Sequence, residues 1–437
     1  MAHGISRRNF LYTLAAGGVV TGTGRRAFGS SGPPKGMSDK LLDEFERRAC
    51  RYFYDMADPN TGLVRDRATG NEPYGPSVSS IAATGFGLSA LAIAAGRGYL
   101  DPIAAQNRTR TTLKFLCDQA AQEHGFFYHF MDSDTGRRIW ASEASSIDTA
   151  WLLCGVLHST TYWKDADIRK YATELLDRAD WEWMLNDDQT LCHGWTPESG
   201  FLVYRWDSYS EDLAMYLLAM SSDKHRIAPS SWNAFKRPMK DYEGIFFIDA
   251  GAPLFVHQYS HAWFDLRNRR DVYANYFRNS VRATEAHRRF CLSYSSEFPW
   301  YQPDMWGVTS SDSRTGYRVW ISANNPPDGT LVPCAAGGSL VFLPQTCGTV
   351  LQNMYDRWGD KVWTKYGFVD AFHPKDQWFS RYVLGIDQGI MLLMAENMRA
   401  ESVWNLVMST PQALHAMEAA GLKPYDPDST AEPRSRA

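Results

Sequence analysis

Ser145-Ser146-Ile147-Asp148-Thr149-Ala150-Trp151-Leu152-Leu153 places an aspartate at the mouth of a strongly apolar helical run. Tyr209-Ser210-Glu211-Asp212-Leu213-Ala214-Met215-Tyr216-Leu217-Leu218 repeats the layout with a glutamate, and Gly385-Ile386-Asp387-Gln388-Gly389-Ile390-Met391-Leu392-Leu393-Met394 repeats it with another aspartate. A helix that is oily nearly all round is buried. A carboxylate in its first turn is tolerated because free backbone N–H groups and the helix dipole stabilise it. Any one of these acids alone would read as a helix cap. Three with one layout predict buried helices side by side, with carboxylates gathered at one end.

Working outward, three-to-four spacing predicts helical runs over 38–57, 78–97, 105–123, 143–162, 166–186, 208–222, 268–290, 336–358 and 384–420. Runs at 78–97, 147–158, 211–220, 336–351 and 386–395 are nearly all apolar and suit an inner ring. Those at 38–57, 105–123, 166–186 and 268–290 are amphipathic and suit an outer ring with one wet face. Around six pairs give a mainly α, closed double ring of helices. No fixed repeat period supports the rival, a helical solenoid. Two stretches read as short hairpins: Gly125–Phe130 to Arg138–Trp140, turning at Asp134-Thr135-Gly136, and Gly244–Ile248.

The 437 residues contain no Ser/Gly-rich linker and no charge block, so one large domain over 36–421 is expected. A net charge of −4 leaves no electrostatic footprint for nucleic acid or an anionic membrane. The chain holds 16 Trp, 22 Tyr and 22 Phe. Many sit beside Gly, Asp, Ser or His, as at Trp195, Trp206, Trp263, Trp306 and Trp378, where flat rings on polar loops suit the apolar faces of sugars. Seven cysteines without a CxxC offer no zinc or redox motif, although a disulfide stays open. No phosphate loop, dinucleotide fingerprint or HExxH occurs, so neither a cofactor nor a metal is expected.

Ser6-Arg7-Arg8-Asn9-Phe10-Leu11 followed by a short apolar stretch has the form of a twin-arginine signal within residues 1–35. It predicts engagement of the twin-arginine translocation machinery, a periplasmic or extracellular home, and no membrane span in the mature form. The mature protein is expected to be a monomer. The Pro-, Ser- and charge-rich end, 422–437, reads as a frayed tail.

A series of motifs resembles the bacterial glycoamylase-like domain. They include Asp58-Pro59-Asn60-Thr61-Gly62-Leu63-Val64 with Asp66-Arg67, Ser79-Ser80-Ile81-Ala82-Ala83-Thr84-Gly85-Phe86-Gly87-Leu88 and Gly125-Phe126-Phe127-Tyr128-His129-Phe130. Further on come His193-Gly194-Trp195, Tyr204-Arg205-Trp206-Asp207-Ser208-Tyr209-Ser210-Glu211, Pro253–Trp263, Trp306–Asp312 and Gly385–Gly389. The resemblance covers about residues 40–410 in consistent order. That domain is similar to glycoside hydrolase family 144, the β-1,2-glucanases. It implies an (α/α)6 toroid that cleaves linear or cyclic β-1,2-glucans with inversion, releasing short sophoro-oligosaccharides. An oligo- or polysaccharide is then the expected partner.

In an inverting mechanism one carboxylic acid protonates the leaving oxygen while another carboxylate activates water. The resemblance places the acid at Glu211, where burial beside aromatics would raise its pKa. Asp387 and Asp148 both fit the base, with Asp387 favoured through a chain of waters. Glu143 and Asp148 are five apart, hence not stacked on one helix face, and Glu143 is expected on the preceding loop, contacting a sugar hydroxyl. Asp312 either binds sugar or closes a turn. Tyr209, Trp206, His129, His193, Trp195, His261, Gln258, Trp306, Trp378 and Arg67 complete the expected sugar contacts. His257 and His261 around Gln258-Tyr259 also leave open a polysaccharide lyase, with Arg267 and Arg270 for a uronic carboxylate. Another glycan specificity, transglycosylation, or glycan binding without catalysis are the remaining alternatives.

Overall fold

The structure, a computed structural model, describes residues 36–70, 77–249, 251, 253–320 and 326–425. The twin-arginine segment lies outside the described residues, as does the end of the chain beyond 425. The helices are, in chain order, α1 Asp39–Asp55, α2 Ile81–Arg97, α3 Pro102–Asp118, α4 Ser146–Tyr162, α5 Ala166–Arg178, α6 Trp181–Leu185, α7 Leu213–Ser221 and α8 Ser230–Ala234. They continue with α9 Tyr276–Ser293, α10 Pro333–Gly337, α11 Pro344–Trp358, α12 Gly385–Ala400, α13 Ser402–Met408 and α14 Pro411–Ala419.

Burial sorts them into two layers. Every residue of α7 is buried, as are all of α2 up to its last turn and α4 from Ser146 to Ser159. Among the described residues six inner segments close a ring. α2 packs on α4, α4 on α7, α7 on the 3-10 turn Tyr259–Ala262, that turn on α12, and α12 on both α10 and α2. Gln258 ties the turn to α10, its Nε2 donating to Ala335 O at 3.0 Å and to Ser339 Oγ at 2.7 Å. Outside this ring α1 covers α2 and α12, α3 covers α2, α5 covers α4, α14 covers α7, α9 covers the turn Leu254–His257, and α11 covers α10. This is the (α/α)6 double ring, with 3-10 turns standing in for one inner helix.

Boundaries differ from the periodicity where a local stop intervenes. The 166–186 run breaks at Asp180, whose Oδ1 accepts from Trp183 N–H at 2.9 Å and starts α6. The 384–420 run is three helices, broken at Glu401 (φ +55°) and at Thr410, which caps α14 ahead of Pro411. The 336–358 run is not one inner helix: α10 ends at Gly337, Pro344 opens α11, and α11 lies outside with one buried stripe. Of the stretch read as a tail, residues 422–425 are described, and they are tied to the fold. Lys423–Pro424 pairs with Arg269–Arg270, and Tyr425 N–H donates to Asn268 O at 2.8 Å.

Short strand pairs clamp the inner helices at one end. Val78–Ser80, which runs into α2, pairs with Phe130–Asp132. Ala144–Ser145, which runs into α4, pairs with Gly194–Thr196. Tyr382–Leu384, which runs into α12, pairs with Arg67–Thr69. Ser80 and Ser145 then cap α2 and α4, accepting from Ala83 N–H and Asp148 N–H. Asp148 is therefore not the cap of its helix; its own N–H is the group being capped. The Asp134-Thr135-Gly136 turn forms as expected, with Gly136 N–H donating to Asp132 O at 2.9 Å. All seven cysteines are buried and free, so the disulfide left open by the sequence does not form.

α2 and α4 approach backbone to backbone. A Cβ built on Gly155 would stand 2.0 Å from Gly85 O, and one on Gly85 would stand 2.4 Å from Trp151 O. Neither neighbour is a flexible side chain, so any added methyl forces the helices apart. Gly155→Ala is expected to destabilise the fold by about 3 kcal/mol, seen as a lower urea midpoint with an unchanged slope. A midpoint within error of the wild type would show that this contact is not tight.

Candidate active site

The strand-clamped end of the ring holds a cavity lined by Asp66, Ser80, His129, Phe130, Asp148, Trp151, Glu211, Phe255, Tyr259 and Ile386. Three carboxylates thus face one space walled by four aromatic side chains. Each comes from a separate part of the chain. Asp66 precedes the strand Arg67–Thr69, Asp148 lies in the first turn of α4, and Glu211 lies two residues before α7. Glu211 is set by its neighbours rather than by the helix. Ser210 Oγ donates to Glu211 Oε2. Ser260 Oγ, from the 3-10 turn, donates to Glu211 O at 2.9 Å while accepting from Ala214 N–H at 3.0 Å.

His129 joins two acids. Its Nδ1 is 3.3 Å from Glu143 Oε1 and 3.5 Å from Asp148 Oδ2, and all three residues are buried. Glu143 lies on the segment before α4, as its spacing from Asp148 implied. These three side chains could hold a cation by the proximity of their ligand atoms. They equally form a histidine bridge between carboxylates, and nothing about the trio demands an ion.

Asp387 follows lining residue Ile386 in the chain and belongs to a second group of acids. Arg67 reaches Asp66 through Nε at 3.1 Å and Asp312 through Nη1 at 3.1 Å. Ser380 Oγ donates to Asp312 Oδ2 at 3.1 Å, and Asp312 N–H donates to Asp370 Oδ2 at 2.6 Å. Burial, then the charges of Asp312 and Asp387, hold the Asp370 carboxyl well above the usual carboxylate range. Asp370 also shares a side-chain hydrogen bond with Asp387. Ionised carboxylates only accept, so one of this pair carries the proton, and the shift puts it on Asp370. Asp66 and Asp370 were not singled out from sequence. Both are lone acids on irregular segments, and their one signal was the Asp-Arg motif at 66–67.

Several expected sugar contacts are instead part of the ring wall. Trp206 is buried, with Nε1 donating to Ser146 Oγ at 3.0 Å and its ring stacked on His193 at 4.0 Å. Tyr209 is buried, with its OH 3.0 Å from His257 Nδ1. Trp306 is fully buried and Gln258 is spent on α10. His261 is buried against Ser280 Oγ at 3.1 Å, its pKa pushed down to about 3 by burial. His257 is likewise lowered, to about 4. Arg267 is engaged by Asp265 and Glu401. The lyase constellation is thus not assembled at the cavity. Trp195 pairs across a strand with Ala144 and packs near Trp183, and Trp378 pairs with His373. Trp206, Tyr209 and Trp306 go into the core because large rings bury the most apolar area, while Trp195 and Trp378 stay half-buried.

The closed (α/α)6 ring, with a carboxylate-lined, aromatic-walled cavity at one end, is a fold this chain shares with solved β-1,2-glucanases. Residues 203–411 match the Glycoamylase family model, described as "Putative glucoamylase". The exo β-1,2-glucooligosaccharide sophorohydrolase (non-reducing end) of Parabacteroides distasonis is 27% identical over 412 residues, which covers 85% of this chain. The chain spans 56% of that relative's length. Among solved structures, the endo-β-1,2-glucanase from Chitinophaga pinensis, in complex with sophorotriose and glucose, superposes with a TM-score of 0.83. It is 26% identical, and the match covers 88% of this chain and 98% of that one. The β-1,2-glucanase from Parabacteroides distasonis gives a TM-score of 0.82 at 25% identity, covering 88% of this chain and 60% of that one. The glycoamylase-like match lies within residues 203–411, and the chain as a whole is similar to these proteins in sequence and fold.

Beside Glu211, Asp212 is wholly buried, and burial pushes its carboxyl up to about 8. The folded protein keeps a proton here that the unfolded chain releases near pH 4. The group therefore costs stability progressively as pH rises from about 4 to about 8, and the cost is complete above that. Asp212→Asn keeps the acceptor for Ser210 N–H and removes this titration. The variant's urea midpoint is expected to fall less than the wild type's between about pH 5 and about pH 8. Equal slopes would show that Asp212 is ionised in the folded protein.

Proposed function

We propose that the protein is an inverting hydrolase of β-1,2-glucans. The observation that carries this is the convergence of Glu211 and Asp148 with Asp66 on one aromatic-walled cavity, in a chain homologous to β-1,2-glucan-active proteins. Glu211 is the general acid. Its Ser210 contact and its Ser260-held backbone fix the carboxyl toward the cavity, and the apolar side chains of Trp151 and Tyr259 lower the local dielectric. Asp387 is the base, acting through water on the anomeric carbon. The proton on Asp370 supports the ionised form of Asp387 by donating to it. Asp148, with His129 and Glu143, holds sugar hydroxyls. The hydrolase is exported by the twin-arginine route and acts in the periplasm or outside the cell.

One observation favours a second assignment of the base: Asp148 itself lines the cavity, where the residue beside Asp387 that does so is Ile386. The experiment is hydrolysis of linear β-1,2-glucan, with product size and anomeric form followed over time. Short sophoro-oligosaccharides released in the α form are expected. Glu211→Gln and Asp387→Asn are expected to lower kcat by about a thousandfold, on the scale of lost acid/base catalysis. Asp148→Asn is expected to act mainly on KM. The reverse pattern between Asp387→Asn and Asp148→Asn would give the base to Asp148. Folded protein that leaves the glucan intact would overturn the proposal.

A further inference from the structure

Trp140 is out of place by any folding criterion. It is 67% exposed, and its backbone has φ +57°, in the left-handed region. A bulky side chain rarely adopts that conformation, because its Cβ crowds the following carbonyl oxygen. An exposed ring on an unfavourable backbone adds little to the folded state, and strain of this kind concentrates where ligands bind.

The loop that carries Trp140 is held from both sides. Ile139 N–H donates to Phe130 O at 3.0 Å. Ser142 Oγ donates to the same carbonyl at 3.2 Å and to Ile139 O at 2.9 Å. Arg138 Nε donates to Ser142 O at 2.5 Å, while its two terminal nitrogens fork onto Glu198 at 2.6 and 2.9 Å. The indole is thereby presented in a fixed place, and little further ordering is needed on binding. Trp140 meets Phe130 at 5.2 Å between centroids with an interplanar angle of 67°. Phe130 stacks on His129 at 3.9 Å, and both line the cavity. A continuous aromatic surface runs from the cavity wall to solvent.

We propose that Trp140 is a stacking platform for a glucosyl residue of a longer β-glucan chain, one that extends past the cavity. The apolar C–H face of a pyranose ring lies on the exposed indole, while the sugars nearer the cleaved bond occupy the cavity. This rests on the β-1,2-glucan hydrolase reading and adds to it a preference for long chains. The proposal places Trp140 beyond the sugars held in the cavity, so the platform contributes more to polymer binding than to binding of a trisaccharide.

The test is calorimetric binding of linear β-1,2-glucan and of sophorotriose to Glu211→Gln protein, with and without Trp140→Ala. Removing the indole is expected to weaken polymer binding about tenfold, the loss of one good ring contact, and to leave sophorotriose within about twofold. Trp140→Gly is expected to weaken polymer binding equally and to raise the thermal midpoint, since glycine takes positive φ without crowding. Equal polymer affinity with and without the indole would overturn the platform while leaving the hydrolase reading intact. A drop of several degrees in the thermal midpoint of Trp140→Gly would overturn it too, making Trp140 a packing residue. Failure of the Glu211→Gln protein to bind the polymer at all would overturn the hydrolase reading and the platform with it.

Discussion

Gly85 and Gly155 set the separation of two inner helices, and the carboxylate end of the ring is built on that separation. With backbone against backbone, α2 and α4 sit closer than side chains would allow. Their N-termini then bring Ser80 and Asp148 to one cavity. The strands that feed these helices are pinned at the same end, through Phe130–Asp132 and Gly194–Thr196. Trp263, from the 3-10 segment across the ring, reaches back to α2 by donating from Nε1 to Ser89 Oγ at 2.9 Å, with its ring 4.7 Å from Phe86. The ring closes around contacts of this kind, so cavity shape and helix packing are one problem rather than two.

The second organising element is the set of acids around the cavity. Glu143 and Asp148 are bridged by His129, and Asp66 and Asp312 by Arg67. Asp370 is held protonated by burial and by the charges of Asp312 and Asp387, and it shares a hydrogen bond with Asp387. Asp212, beside Glu211, likewise holds its proton because burial penalises its charged form. Pairs of carboxyl groups with separated proton affinities are what acid/base chemistry on a sugar bond requires.

Legibility from sequence followed the kind of signal. Helices that are oily all round announced the inner ring, because burial on every side leaves no polar face to hide. Asp148, Glu211 and His129 reached the cavity because helix starts and strand ends tie side-chain position to local pattern. Trp206, Tyr209, Trp306, His261 and Gln258 went into the wall instead. A ring beside a polar residue in sequence can face either side of a loop, and local pattern carries no information about which. Asp66, Asp312, Asp370 and Asp387 span more than three hundred residues of chain, and only ring closure makes them neighbours.

The sequence by itself determined the class of the fold, the inner placement of α2, α4, α7 and α12, and the presence of acids at the mouths of inner helices. Apolar periodicity and capping act within a few residues and need no distant partner. The tertiary structure alone decided which acids share a space, which of them keeps a proton, and which aromatic rings are wall rather than surface. Those outcomes depend on dielectric and distance between segments far apart in the chain, and both are set only once the ring has closed.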